Sequence, residues 1–315
     1  MALPAPVVER IPCSSGASSS HCADARVRYY YIPTMHMFRF DLPAFLGLIV
    51  SILLLSPAGL AADRRVIGNS VEGRSIEVEV LGDGPVDVVM VGGIHGGYEA
   101  NSIRLARRFA DYYRADLERL PDAFSLHIID NMNPDGLAAV TGGTPIAEFD
   151  FRSADTTAGR FNANGVDLNR NWSDDGWRPQ STWRNRVVDA GTEPFSEPET
   201  RAVRDYFAAT DPAASIFFQS AGAFIWYSGA EEGWTPSLRL AERYGGASGY
   251  RVVRPEPREE EEEDDITGSA DDYFYERRHR NLTVELTTHY VIEWERNLAG
   301  FKAFLGALAS GDDTR

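Results

Sequence analysis

Residues 87–92, Asp-Val-Val-Met-Val-Gly, form a continuous apolar run that ends in a Gly-Gly pair. A strand apolar at nearly every position must be covered on both faces, which is the habit of a buried parallel strand. Residues 125–131, 214–219 and 281–286 read as further strands, while 75–82 alternates apolar and polar residues as a half-buried strand does. Helix-length stretches lie between them, at 99–116, at 235–245, at 269–279 and at 291–309, with a short strand at 250–254. Ser196-Glu-Pro-Glu199 reads as a capping box opening another helix to about Ala209. Buried strands alternating with helices predict an α/β fold, a mixed and mostly buried sheet flanked by helices on both faces. Such sheets place their ligands at the carboxyl ends of the strands. The Gly-, Asp- and Asn-rich stretch 133–195 shows little periodicity, and a loop of that length in a compact domain is usually functional. The chain carries no internal repeat.

The first 62 residues read as separate from this fold. Residues 42–62 are uncharged, Arg39 stands just before them, and Gly59 and Ala61 fit the −3 and −1 positions of a signal-peptidase site. The apolar heart, Leu42 to Leu55, is nearer a signal core than the ~20 residues of a membrane span. A signal peptide cleaved near Ala61 or Ala62 is expected, ahead of an uncleaved N-terminal anchor or a buried helix. Export signals begin close to their methionine, so Met35 or Met37 is a candidate start and residues 1–36 an extension outside the fold. The expected organisation is an extension over 1–36, a signal or anchor over 37–62, and a single domain over 63–315. A secreted or periplasmic location follows.

Composition narrows the function. The net charge of −16 argues against a general nucleic-acid binder, which needs basic surface to displace counterions, and against docking on anionic lipid. Beyond an N-terminal anchor, no membrane partner is expected. The two cysteines, Cys13 and Cys22, lie in the segment expected to be removed and exclude a disulfide scaffold or a cysteine zinc cluster.

Chemistry concentrates at a few places. In Gly92-Gly-Ile-His95-Gly-Gly-Tyr-Glu99, His95 and Glu99 follow the 87–92 strand at its carboxyl end, an open zinc-type pair. The alternative is a turn histidine with Glu99 favoured by a helix dipole. Asn133-Pro-Asp-Gly136 alone is an ordinary turn. In Gly165-Val-Asp-Leu-Asn169-Arg170-Asn171, an Asn-Arg pair on a loop is able to clamp a carboxylate, and Arg160 could share its pocket; pairing of these arginines with the abundant acids is the competing reading. Glu285 is an acid in an otherwise apolar strand, costly to bury unless paired or functional, and attractive as a general base.

Together, in this order, the motifs resemble the zinc carboxypeptidases of the carboxypeptidase A type, over roughly Val66–Ala309. The resemblance implies the zinc-carboxypeptidase α/β/α sandwich and metal-assisted amide hydrolysis. It implies that His95 and Glu99 are zinc ligands, that Asn169 and Arg170 grip the substrate's terminal carboxylate, that Arg160 stabilises the oxyanion, and that Glu285 activates water. The implied substrate is a peptide or an N-acyl amino acid.

Three departures stand out. The family has two residues between His and Glu, where this chain has Gly96, Gly97 and Tyr98. The third zinc ligand, a histidine in the family, is matched by Gln219, whose neutral amide oxygen would bind zinc weakly. His279 and His289 flank the Glu285 strand as substitutes, while His127 reads as structural. The region where the family often carries a substrate-capping tyrosine is the acidic run Glu259–Asp265, read as a solvated loop, with Tyr273 and Tyr275 expected on a helix. The leading expectation is a secreted metallocarboxypeptidase-type hydrolase. A deacylase or peptidoglycan-peptide amidase on the same scaffold, and a non-catalytic carboxylate binder that has lost productive zinc through Gln219, are the alternatives.

Overall fold

The computed structural model describes residues 63–228, 236–253 and 266–311; the expected extension, signal segment and acidic run lie outside them. Eight strands form one mixed sheet. In chain order they are β1 (Asp63–Asn69), β2 (Ser75–Leu81), β3 (Val86–Val91), β4 (Phe124–Ile129), β7 (Ala214–Ser220), β8 (Phe224–Tyr227), β9 (Arg251–Val252) and β10 (Asn281–Leu286). Their order across the sheet is β1-β2-β4-β3-β7-β10-β8-β9. The central four, β4, β3, β7 and β10, run parallel. A separate hairpin, β5 (Gln180–Trp183) and β6 (Arg186–Asp189), rises from the long irregular stretch.

Alternation along the buried strands builds two apolar layers, because successive side chains point to opposite faces. One layer takes Val88 and Met90 of β3, Ile216 and Phe218 of β7, and Leu282, Val284 and Leu286 of β10. Helices α1 (Ala100–Arg114), α4 (Pro236–Ser248) and α6 (Trp294–Ser310) cover it with Phe109, Tyr244 and Phe301. The other layer takes Val89 and Val91 of β3 and Phe217 of β7, covered by Val203 and Phe207 of α3 (Pro198–Thr210) and Phe274 of α5 (Ala270–Glu276). Each fully buried side chain of this size contributes about 1.5–3 kcal/mol. The alternation also sets the site: Gln219, two residues after Phe217, and Glu285, one residue after Val284, share the second face. The register places them side by side, Glu285 opposite Gln219.

Three local expectations differ from the structure. The Ser196–Glu199 capping box does not form: Glu197 is the N-cap of α3 and makes no side-chain cap, while Ser196 Oγ donates to Glu197. Glu199 is instead buried, accepting from Val71 N and Asn162 Nδ2. Asn133-Pro-Asp-Gly136 is more than a turn, for Asn133 Oδ1 accepts from Gly136 N and caps helix α2 (Pro134–Thr141). The helix expected over 269–279 stops at Glu276, because Arg278 takes a left-handed conformation at φ 50°. Tyr273 and Tyr275 lie on this helix, as expected. Among the described residues no helix is long and apolar enough to cross a membrane.

Candidate active site

Val91 ends β3, and Gly92-Gly93 turn the chain so that His95 arrives at the carboxyl end of the sheet. Residues Gly96–Glu99 wind into one 3₁₀ turn, entered through Gly96 at φ 41°. A side chain at Gly96 would need a strained backbone and would meet Asn133 O at 2.8 Å, so glycine is required there. The turn absorbs the extra residue of this segment. It brings His95 Nδ1 within 2.9 Å of Glu99 Oε1, with both side chains buried.

The other imidazole nitrogen, His95 Nε2, lies 3.2 Å from Asp167 Oδ1. Asp167 is fully buried and also accepts from Arg160 Nε at 2.8 Å and Asn169 N at 3.0 Å. Burial alone would raise the Asp167 carboxyl, but Arg160, His95 and Arg170 outweigh it and hold it well below the usual carboxylate range. An ionised Asp167 is placed to accept a hydrogen bond from Nε2–H, which leaves Nδ1 as an acceptor aimed at a carboxylate oxygen. That arrangement needs a proton or a cation between the two atoms. Glu99 Oε2, also buried, has no partner. A histidine oriented by a carboxylate through its far nitrogen is the usual setting of a metal ligand. The donors present therefore fit a metal at His95 Nδ1 and Glu99.

The third donor is where the chain departs. Among the described residues no three His, Cys, Asp or Glu side chains converge as a metal site. Gln219 is buried, its Oε1 accepts from Asn169 Nδ2 at 3.3 Å, and its Nε2 has no partner. Asn169 Oδ1 is committed to Ala270 N at 3.0 Å, so Asn169 must donate towards Gln219, and that orients the amide. His279 stands at the far end of the sheet, beside Ser215 at the start of β7, and is no substitute. His289 is close by. Its Nδ1 lies 3.0 Å from Ser220 Oγ, its ring is 4.6 Å from that of Tyr98, and it feels the charges of Glu99, His95 and Arg160. Ser220 also donates to Asn101, whose Nδ2 donates to Thr288 O at 2.6 Å. The segments following Glu99, Gln219 and Glu285 are thus tied together by one network. His127 is structural, hydrogen-bonded to Tyr206 of α3 on one side and Asp87 of β3 on the other.

Glu285 shares the face of Gln219 and is largely enclosed. Burial pushes its carboxyl well above the ordinary range, the Glu99 and Asp271 carboxylates push it further, and Arg160 opposes them. Arg160 is buried, with Nη1 3.5 Å from His95 Nδ1 and its guanidinium 4.6 Å from the Trp183 ring centre. Arg170 is also brought in, but its guanidinium is occupied: Nε and Nη2 donate to Thr182 O, and Nη1 to Asn169 O. All seven residues singled out in the sequence gather at this end of the sheet. Two further participants did not announce themselves there. Asp167, an acid between Val166 and Leu168, orients His95. Asp271, buried on α5 and bonded to Thr283, has its carboxyl pushed up to about 6 by burial.

The zinc carboxypeptidase family profile matches residues 62–293. Over 122 residues the chain is 33% identical to carboxypeptidase E of Caenorhabditis elegans, a match covering 34% of this chain and 24% of that protein. Over 243 residues it is 25% identical to gamma-D-glutamyl-L-diamino acid endopeptidase 1 of Lysinibacillus sphaericus, covering 70% of this chain and 59% of that protein. The chain spans about a quarter of the length of the curated relatives it first matches. Among solved structures, bovine thrombin-activatable fibrinolysis inhibitor in complex with tick carboxypeptidase inhibitor superposes with a TM-score of 0.61, at 19% identity, over 84% of this chain and 95% of that one. That likeness is one of fold. With the profile covering most of the chain, and its strand order leading to a His-Glu pair backed by a buried aspartate, the protein belongs to the zinc carboxypeptidase family.

Proposed function

We propose that the chain is an exported metal-dependent peptidase that removes C-terminal residues from peptides or N-acyl dipeptides. The observation that carries this reading is the pairing of His95 Nδ1 with Glu99 Oε1 at 2.9 Å while Asp167 holds the opposite ring nitrogen. The family is zinc-dependent. In this chain His95, Glu99 and the Gln219 amide would hold the ion, weakly because only two are strong donors. When bound, zinc supplies a Lewis acid that polarises the amide carbonyl and lowers the pKa of water. The remaining work falls to the side chains. Glu285, with its raised pKa, accepts a proton from the attacking water and returns it to the departing amine nitrogen. Arg160 directs Nη1 at charge developing on the carbonyl oxygen. Asn169 and Arg170 line the substrate-binding side.

Two other readings keep specific support. A peptidoglycan-peptide amidase or endopeptidase is favoured by the likeness to the L. sphaericus endopeptidase, which runs along 70% of the chain. A non-catalytic carboxylate binder is favoured by Gln219, whose Nε2 offers donors where a third strong ligand would stand. Hydrolysis of N-acyl dipeptides and of muropeptides, each with and without added zinc, separates the three. The peptidase reading requires that Glu285→Gln lower turnover by about 10²–10⁴-fold with the fold intact. Undiminished turnover in that variant excludes the mechanism. Export and cleavage near Ala61 or Ala62, leaving one domain from residue 63, are part of the proposal; a recovered chain that retains Met37 within the cytoplasm would refute them.

A further inference from the structure

Two of the three guanidinium nitrogens of Arg160 converge on a single oxygen: Nε donates to Asp167 Oδ2 at 2.8 Å, and Nη2 lies 2.7 Å from the same atom. The third nitrogen, Nη1, lies 3.5 Å from His95 Nδ1, on the side of the candidate metal ligands. Two contacts to one oxygen act as a pivot. They fix where the edge of the guanidinium sits but not the tilt of its plane, and the tilt decides where Nη1 points. A planar group held this way needs a contact on its face to have one orientation.

Trp183 supplies that contact. Its ring centre is 4.6 Å from Arg160 Cζ, with the Tyr98 ring farther off at 5.9 Å, and tryptophan is the strongest cation–π partner among the side chains. The sequence around Trp183 holds the ring in place. Trp183 ends β5 and pairs with Arg186 of β6 across the two-residue turn Arg184-Asn185, both left-handed at φ 50° and 59°, which closes the hairpin in one register. Side chains alternate along a strand, so Trp183 shares the face of Ser181, which is buried with its Oγ accepting from Thr267 N at 3.1 Å. Phe161 and Tyr98 pack edge-on against the Trp183 ring, at 6.2 and 5.3 Å. One half-buried ring thus touches Arg160 and the two residues that adjoin Arg160 and Glu99 in the chain. Beneath it Arg160 is only 4% exposed.

Resting on the peptidase reading above, we propose that Trp183 is a positioning residue for the reaction: its ring sets the plane of the Arg160 guanidinium, so that Nη1 is aimed before the substrate arrives, and keeps water off that face. Without the ring, Arg160 keeps its ion pair with Asp167 but rocks about Asp167 Oδ2 with a hydrated face. A donor fixed in a dry site stabilises a developing oxyanion better than one that must reorient and shed water. That advantage is realised in the transition state rather than in the bound substrate, so its loss falls on kcat more than on KM.

The test compares Trp183→Leu, which keeps apolar bulk without a π face, with Trp183→Phe, which restores one; if the leucine variant does not fold, Trp183→Met serves the same comparison. The first readout needs no catalysis. In ¹⁵N-labelled full-length protein, the Arg160 Nε–H resonance, identified by its disappearance in Arg160→Lys, should move in Trp183→Leu and exchange with solvent about tenfold faster or more, and should stay protected in Trp183→Phe. The second readout is hydrolysis of benzoyl-glycyl-phenylalanine with added zinc. Trp183→Leu should lower kcat by about tenfold or more with KM within about twofold, and Trp183→Phe should recover most of the loss. In an Arg160→Lys background the same substitution should cost little further, because one residue acts through the other. An Arg160 resonance indifferent to Trp183→Leu, a loss falling equally on kcat and KM, or a full multiplicative loss in the Arg160→Lys background would each overturn the proposal. A protein that cleaves the dipeptide with kcat independent of Trp183 refutes this inference alone. One whose Arg160 signal responds to Trp183 but which cleaves nothing refutes the peptidase reading alone.

Discussion

Gln219→His should convert a weak metal site into a tight one. In the wild type, Gln219 sits in register with Glu285 on the site face, buried, with Oε1 accepting from Asn169 Nδ2 and Nε2 unpaired. As a metal ligand that amide oxygen, already accepting from Asn169, offers only a neutral, weak donor. An imidazole in its place is a much stronger one. Structural zinc sites of four ligands bind with roughly 10–16 kcal/mol, or about 3 kcal/mol per ligand, so a third strong donor should tighten zinc by about a hundredfold or more. The substitution also removes the unpaired Nε2, whose burial costs about 1–3 kcal/mol, so stability without metal should not fall by more than cavity adjustments take. Competitive chelation on both proteins measures the affinity, with thermal unfolding in chelator as the control. If Gln219→His gains nothing, residue 219 does not point at His95 and Glu99, and the reasoning from strand register fails. If the wild type already binds one zinc tightly, another side chain supplies the third donor, and His289→Ala should then abolish that affinity.

Asp167→Asn should be costly well beyond the site: it leaves Arg160 buried without its anion and His95 without its orienting acceptor, so a loss of about 3–5 kcal/mol is expected in urea unfolding, and a loss under 1 kcal/mol would show that the network relaxes freely. His279 has its pKa lowered to about 4 by burial, against 6.5 in the unfolded chain, so the unfolded state binds the extra proton between those values. Stability should therefore be full above pH 6.5 and decline as pH falls towards 4, by roughly 1.4 kcal/mol per pH unit from this group, and His279→Gln should remove that part of the slope.

The face pattern of the buried strands was legible in the residues themselves. Val-Val-Met-Val and Thr-Val-Glu-Leu permit few environments, and alternation dictates that Glu285 leaves the face its neighbours Val284 and Leu286 bury in. The His95–Glu99 pair, with its extra residue, was readable because glycines on both sides of the histidine licensed a tight turn. Other features depended on contacts between residues far apart in sequence. Ser196 and Glu199 have the spacing of a capping box, yet the glutamate is drawn into a buried network with Val71 and Asn162, where an ionisable group finds partners that local sequence does not reveal. His279 and His289 are equivalent as letters on either side of a strand. Only their positions at opposite ends of β10 distinguish the one near the site from the one packed against Ser215. Arg160 and Arg170 make the same point: each carries one fixed positive charge, and nothing in the sequence says which is spent on the Asp167 carboxylate and which on carbonyl oxygens. Side-chain type and spacing determined the fold, its face pattern and the residues that could take part, because hydrophobic burial and strand periodicity act along the chain. Which charges are satisfied within the protein was decided only on folding, because that depends on neighbours the chain brings together from well beyond one helix turn or strand, such as Val71 with Glu199 and His95 with Asp167.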